Sequence, residues 1–403
     1  MRLIGDFKNA VKRSHRLYPL AHKLRRWQQD RQIQGEQREC EAKARRLGIP
    51  LEEEPAELVF PRLTSRLAAR GISWPPQPSG RPLHIVYSSL PSNWERHNIP
   101  PQLAKLGDIT CYFLDEQGIG LNGSWAATRA QVDRSLPEFV GRLHAQHPVD
   151  IWLSYLSGAQ ISPETVTGIG EMGIPCFSFH WDDRLSFYGV KYGGQWSGPA
   201  AVCRAYDLNL TNARASLVKY RVERANALFW PLGANPEFFR PLDQPFQYDV
   251  TFCGQRYGER PLLIDYLRRN GIRVDCFGAG WEHGYQSDEA LVRVFNQSRV
   301  NLGFGCVASS TDQCLKGRDF EIPACGAVYL TSFNEDLPRV YRVGEEIETY
   351  ESFDDCLQKI RALLASPKRC EELRQRARAA VVTRHTWAER VRELLDCRGL
   401  PAP

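Results

Sequence analysis

The chain has 403 residues, 42% of them apolar and 25% charged, the proportions of a soluble globular protein with room for two to three domains. Its formal charge is +5, but residues 1–50 alone carry thirteen Lys or Arg against five Asp or Glu; that balance of +8 leaves −3 for the rest. With a mildly acidic body the positive charge is no evidence for a nucleic-acid-binding fold and no nucleic acid is expected as partner, and without any run of eighteen apolar residues no helix crossing a bilayer is expected.

Met1–Lys8 lacks the apolar run of a secretory leader. The twelve cysteines are scattered without a Cys-x-x-Cys pair, which argues against a zinc site and for buried reduced thiols such as Cys176, Cys253 and Cys325. The expected compartment is the cytoplasm.

Residues 1–78 read as a basic helical arm and linker. Leu17, Leu20, Leu24 and Trp27 recur at helical spacing with Lys23, Arg25 and Arg26 between them. A second helical stretch is expected over 37–47 and a third over 58–69. The arm docks on the body, lies on the inner face of an anionic membrane, or binds another polyanion. Trp74-Pro75-Pro76-Gln77-Pro78-Ser79-Gly80 cannot continue a helix and marks the linker.

Residues 79–244 then alternate apolar strands with helices. Strands are expected over 83–87, 109–114, 151–155, 175–180 and 207–211, with the clearest helix over 127–147, and the apolar run Leu228-Phe229-Trp230 closes the domain. The loop Ser88–Asn98, polar and aromatic, faces the ligand crevice of such a sheet. Phe177-Ser178-Phe179-His180-Trp181-Asp182-Asp183 places a histidine and two carboxylates at a strand end. A carboxylate there can take a proton from a hydroxyl, or cap the helix that follows.

A second α/β domain is expected over 245–385, with residues 386–403 forming a helix that returns to the first domain and a tail. It opens on a strand, 249–254, ending in Gly254; Arg256 lies in the next loop and Arg260 starts a helix to Arg269. A strand over 273–277 leads into Gly278-Ala279-Gly280-Trp281. Val300–Phe304, a small-residue loop, a helix over 316–325 and Ala327–Thr331 form a βαβ unit of a parallel sheet. Lys316 and Arg318 at the helix start, with Glu321 just under a turn further in, suit a nucleoside diphosphate: charge for phosphates, acceptor oxygens for a ribose diol. Two long helices, 353–364 and 368–395, close the chain.

Arg318 to Gly326 resembles the donor-binding signature of GT-B glycosyltransferases, nearest the spore-maturation (CgeB-like) branch related to the retaining family 4 enzymes. The resemblance extends through Pro231–Pro236, Phe252-Cys253-Gly254, Glu345-Glu346-Ile347, Tyr350-Glu351-Ser352 and Arg384-His385-Thr386-Trp387. It covers residues 230–395 well and the earlier half loosely. Family 4 enzymes place a second glutamate eight positions before the ribose-binding one; here that position is Gln313.

The resemblance implies two Rossmann-like domains facing across a cleft, and transfer of a hexosyl group from a nucleoside-diphosphate sugar to a glycan, lipid-linked glycan or small-molecule hydroxyl. Donor binding is expected from Gly254, Arg256, Arg260, Gly278, Trp281, Lys316, Arg318 and Glu321. His180, Asp182 and Asp183 are the expected catalytic residues, since related transferases carry a histidine at a similar place. No metal and no cofactor is expected, because arginines and a helix dipole can neutralise the leaving diphosphate. The alternatives are a nucleotide-sugar epimerase of the same fold and a catalytically idle nucleotide-binding or assembly protein.

Overall fold

The computed structural model describes residues 17–77, 80–90, 93–120, 124–400 and 403. The readings on Met1–Lys8, on Pro78 and Ser79 of the linker and on Pro91 and Ser92 of the polar loop lie outside the described residues. The chain divides into two compact units. One holds residues 37–238 and 381–400 and is called the N-terminal unit; the other holds 17–36 and 239–380 and is called the C-terminal unit.

Helix α1 (Leu17–Leu47) is one continuous helix where two were expected. Nothing between residues 27 and 37 interrupts it: no proline occurs, and Gly35 alone lowers propensity by only about 1 kcal/mol. The helix is buried through the face opposite its leucine stripe. Leu17, Leu20, Leu24 and Trp27 are 48–70% exposed, while His22, Ile33, Cys40 and Ala44 on the other face are buried. In the N-terminal unit Cys40 and Ala44 pack against Val218 and Val222, and Lys43 pairs with Glu223 at 2.8 Å.

Helix α2 (Ala56–Ala68) buries Val59, Phe60, Leu63 and Leu67, spaced i, i+1, i+4, i+8 along one face. Arg66 and, just beyond the helix, Arg70 meet the buried Asp207 carboxylate at 2.9 and 2.6 Å. The N-terminal sheet comprises β1 (Leu83–Ser89), β2 (Gly107–Phe113), β3 (Ile151–Ser154), β4 (Cys176–His180), β7 (Leu208–Thr211) and β8 (Ala227–Phe229). Its order is β2-β1-β3-β4-β7-β8, all parallel; β5 (Lys191–Tyr192) and β6 (Gln195–Trp196) form a separate hairpin. Between strands run α3 (Asn93–Asn98), α4 (Pro100–Leu103), α5 (Trp125–Gln146), α6 (Pro163–Glu171), α7 (Asp183–Ser186) and α8 (Leu217–Val222). The polar loop after β1 thus contains a helix, α3. Val86, Trp152, Val140 and Ile169 centre the core.

The C-terminal sheet is built from β9 (Tyr248–Cys253), β10 (Val274–Phe277), β11 (Ser298–Leu302), β12 (Tyr329–Ser332) and β13 (Glu348–Tyr350), in the order β10-β9-β11-β12-β13, all parallel. Helices α9 (Arg260–Arg269), α10 (Asp288–Asn296), α11 (Arg318–Ala324) and α12 (Phe353–Ala365) connect and cover it, with Val250, Leu263, Val300, Leu330 and Ile360 at its core. The long helix expected over 368–395 is two, α13 (Pro367–Arg384) and α14 (Trp387–Leu395). Thr386 ends the first by capping the second, accepting the Glu389 N–H at 3.0 Å. In the N-terminal unit α14 packs on the strand-β8 end: Trp230 Nε1 donates to the Arg390 carbonyl at 2.9 Å and the Ala234 N–H to that of His385 at 2.9 Å.

Candidate functional sites

In a parallel sheet the crevice for a ligand opens where neighbouring strands lead their connections in opposite directions. The strand orders put those points between β9 and β11 in the C-terminal unit and between β1 and β3 in the N-terminal unit. Each is described separately.

After β9 the chain turns through Gly254, whose N–H donates to the Phe277 carbonyl at 2.8 Å, while the Arg256 N–H donates to Ala279 at 2.9 Å. The two glycine-bearing turns after β9 and β10 are therefore zipped together. Gly278 sits at φ 125°, and a Cβ there would collide with the Gly254 carbonyl oxygen; only glycine fits. Arg256 lies over the ring of Trp281 at 5.4 Å and that of Tyr18 at 5.3 Å. Arg260 is buried, donates from Nη1 to the Gln255 carbonyl at 3.0 Å and lies 4.0 Å over Tyr257. Its Nε and the indole Nε1 of Trp281 are buried without a hydrogen-bond partner. Unpaired buried N–H groups are costly and mark a place where an acceptor is missing.

The structure thus brings Gly254, Arg256, Arg260, Gly278 and Trp281 together. It also brings residues that sequence reasoning missed. The Tyr18 hydroxyl donates to the Gly258 carbonyl at 2.9 Å, and Arg26 faces Glu259 at 3.6 Å. Gln29 accepts the Ser309 N–H at 2.6 Å, and Asp30 accepts the Thr311 N–H at 2.7 Å and its hydroxyl at 2.9 Å. The inward face of α1 therefore holds both loops of the switch point, after β9 and after β11. No local pattern announces contacts between residues more than 200 positions apart.

Arg318 and Glu321 form an ion pair with each other. The Arg318 guanidinium stacks at 5.3 Å on Phe295, near enough to Cys253, the last residue of β9, to act on its thiol. Glu321 is buried, and burial raises its pKa, with Arg318 opposing. The helix begins at Arg318, so Lys316, half-buried, precedes it. The cause is Asp319, a further missed residue: its buried carboxylate accepts the Lys316 N–H at 2.7 Å and the Tyr329 hydroxyl at 2.7 Å, fixing the entry to α11. Burial raises its pKa to about 6. The N–H groups of residues 319–321 are bonded within this first turn, to Lys316 and Gly317, rather than left open. Gln313 accepts a hydrogen bond from the Ser332 hydroxyl at 2.9 Å, tying the loop after β11 to β12.

In the N-terminal unit a cavity of about 320 Å³ is lined by Leu90 after β1, Tyr155, Ser157 and Gln160 after β3, and His180, Trp181, Asp182 and Asp183 after β4. His180 is 5% exposed; burial lowers its pKa to about 3, so the imidazole is neutral, and its Nε2 has no partner. Asp182 is exposed at the start of α7, and its side chain does not cap that helix. Asp183 is buried: Tyr220 donates to its Oδ2 at 2.9 Å, and Lys219 donates to its carbonyl at 3.1 Å. Burial raises its pKa while the Thr211 hydroxyl and Lys219 oppose. Asp183 is held by the core, whereas Asp182 meets solvent.

Among the described residues no three His, Cys, Asp or Glu side chains converge as a metal site, and no helix is long and apolar enough to cross a membrane.

Residues 256–396 match a family model described as glycosyl transferase-like. No curated protein matches the chain by sequence. Solved structures share its fold at low identity. A Rickettsia africae glycosyltransferase has 11% identity over 78% of this chain and 97% of its own, with a TM-score of 0.55. The sucrose-phosphate synthase of Thermosynechococcus elongatus has 13% over 77% and 97%, at 0.53. Anabaena HepE, solved in complex with UDP and glucose, has 12% over 77% and 99%, at 0.51. The chain therefore carries the two parallel-sheet, Rossmann-like domains of GT-B glycosyltransferases, and its residues 256–396 match the glycosyl transferase-like family model.

Proposed function

We propose that the protein transfers a hexosyl group from a nucleoside-diphosphate sugar to an acceptor hydroxyl on a glycan or lipid-linked glycan. The observation that carries this reading is the pair of arginines, Arg256 and Arg260, on the loop after β9 at the switch point, with the Arg260 Nε and Trp281 Nε1 groups unpartnered. That HepE was solved with UDP-glucose supports a nucleotide-sugar donor. The motif of Arg318–Gly326 supports the spore-maturation (CgeB-like) branch.

In this reading Gly254 and Gly278 let backbone approach the diphosphate, and Arg256, Arg260 and Lys316 neutralise it in place of a divalent cation. Arg318 holds Glu321 for the ribose diol. Asp182 takes the acceptor's hydroxyl proton as the anomeric carbon–oxygen bond to the diphosphate breaks and the bond to the acceptor oxygen forms. His180, neutral, hydrogen-bonds to a sugar hydroxyl.

The use of Gln313 as a loop tie favours a second reading, a nucleotide-binding module without turnover. Incubating the protein with UDP-glucose and related sugar nucleotides in excess chelator separates the two. Slow release of free sugar and nucleoside diphosphate, unaffected by the chelator, is the expected result. Tight nucleotide binding with no release in the presence or absence of Mg²⁺ establishes the idle module, and release only after Mg²⁺ or Mn²⁺ is restored overturns the role given to the arginines.

A further inference from the structure

Helix α1 presents two faces of opposite character. Its inward face (Tyr18, His22, Gln29 and Ile33) is bonded to the loops of the C-terminal unit or buried. At 3.6 residues per turn, Leu17, Leu20, Leu24 and Trp27 fall within an arc of about 80° on the opposite side, along about 15 Å of helix. These four are exposed by 48%, 70%, 59% and 57%. The helix cannot roll to hide them without breaking the Tyr18, Gln29 and Asp30 bonds. Such a contiguous apolar stripe on an otherwise polar helix calls for an occupant.

The charges around the stripe say which. Lys23, Arg25 and Arg31 are exposed, and Arg31 lies 5.4 Å over the Trp27 ring. The one acidic side chain from Leu17 to Gly35, Asp30, is turned inward to Thr311. A cationic rim repels a second copy of itself and complements lipid phosphates, while long basic side chains reach past an apolar stripe to headgroups.

We propose that the outward face of α1 docks on an anionic bilayer surface, with Leu17, Leu20, Leu24 and Trp27 entering the acyl boundary and Lys23, Arg25 and Arg31 meeting phosphate headgroups. The inference stands independently of sugar transfer.

Flotation of the full chain with phosphatidylglycerol–phosphatidylcholine vesicles tests it. The protein floats with these vesicles at low salt, and remains behind with phosphatidylcholine alone or at high salt, where the attraction is screened. Leu20→Glu with Leu24→Glu lowers the bound fraction on the order of tenfold while the melting temperature holds, because neither side chain packs in the core. Lys23→Glu with Arg31→Glu lowers it at low salt only. Equal flotation of the leucine variant and the parent, or of anionic and neutral vesicles, overturns the proposal. So does a parent dimer that the leucine variant dissociates while neither floats, which assigns the stripe to a second copy.

Discussion

At the scale of single residues, the two most informative side chains are buried groups whose charge is set by their surroundings. Glu321 shares a salt bridge with Arg318, which opposes the upward push of burial on its pKa and aligns the carboxylate before any ligand arrives. If it accepts hydrogen bonds from a ribose diol, each contributes roughly 1.5–3 kcal/mol. Glu321→Gln keeps the shape and removes the charge, and nucleoside-diphosphate affinity by calorimetry should fall on the order of 10- to 100-fold. A 2′,3′-dideoxy nucleotide should bind the variant and the parent alike, because both changes remove one contact. Unchanged affinity for the normal nucleotide would leave Glu321 with the ion pair alone. His180 makes a pH prediction. Its ordinary pKa of 6.5 applies in the unfolded chain, whereas burial holds the folded value at about 3. Below pH 6.5 the unfolded chain takes up a proton that the folded protein refuses, so stability falls as pH drops through that window. From pH 6.5 to 5 the loss attributable to this residue is about 2 kcal/mol, and His180→Gln should remove it in denaturant titrations at the two pH values. Activity, for the same reason, should show no inflection near 6.5 from this histidine.

At the scale of elements, α1 is the one whose role changed most between sequence and structure. Its apolar spacing was legible, and the leucine stripe invited burial. The buried face is instead the one with Tyr18, His22, Gln29 and Ile33, because those side chains can satisfy backbone groups of the loops after β9 and β11. Loop N–H groups at Ser309 and Thr311 would otherwise need water, and a buried backbone donor left alone costs about 1–3 kcal/mol. Gln29→Ala with Asp30→Ala removes three acceptor contacts and frees the loop after β11. Nucleotide affinity should then drop about five- to tenfold through lost preorganisation, and stability by roughly 1–2 kcal/mol. Measured nucleotide affinity equal to that of the parent would show that α1 holds the loop for stability only. The α13–α14 break carries a related lesson. Thr386-x-x-Glu389 is a capping signature in the sequence, and the periodicity running through it obscured the new helix start.

At the scale of the whole molecule, the sequence by itself determined the class of fold. Runs such as Val300–Leu302 and Tyr329–Leu330, short, apolar and separated by a helix ending at a glycine, specify buried parallel strands because only βαβ crossovers bury both faces. It also marked Gly254, Gly278, Arg256 and Arg260 as one cluster, since residues just past strand ends must share one edge of a parallel sheet. Tertiary structure decided the rest. That β9 lies between β10 and β11, opening the switch point there, depends on strand order, which no local pattern encodes. Asp319 reads as an ordinary helix-start acid until Tyr329 and the Lys316 N–H enclose it. Asp182 and Asp183 are neighbours of the same type, yet one meets solvent and the other is held by Tyr220 beside Lys219. Chemistry of a residue type is written in the chain; whether that residue faces water, core or ligand is settled only by the partners folding brings from far along it.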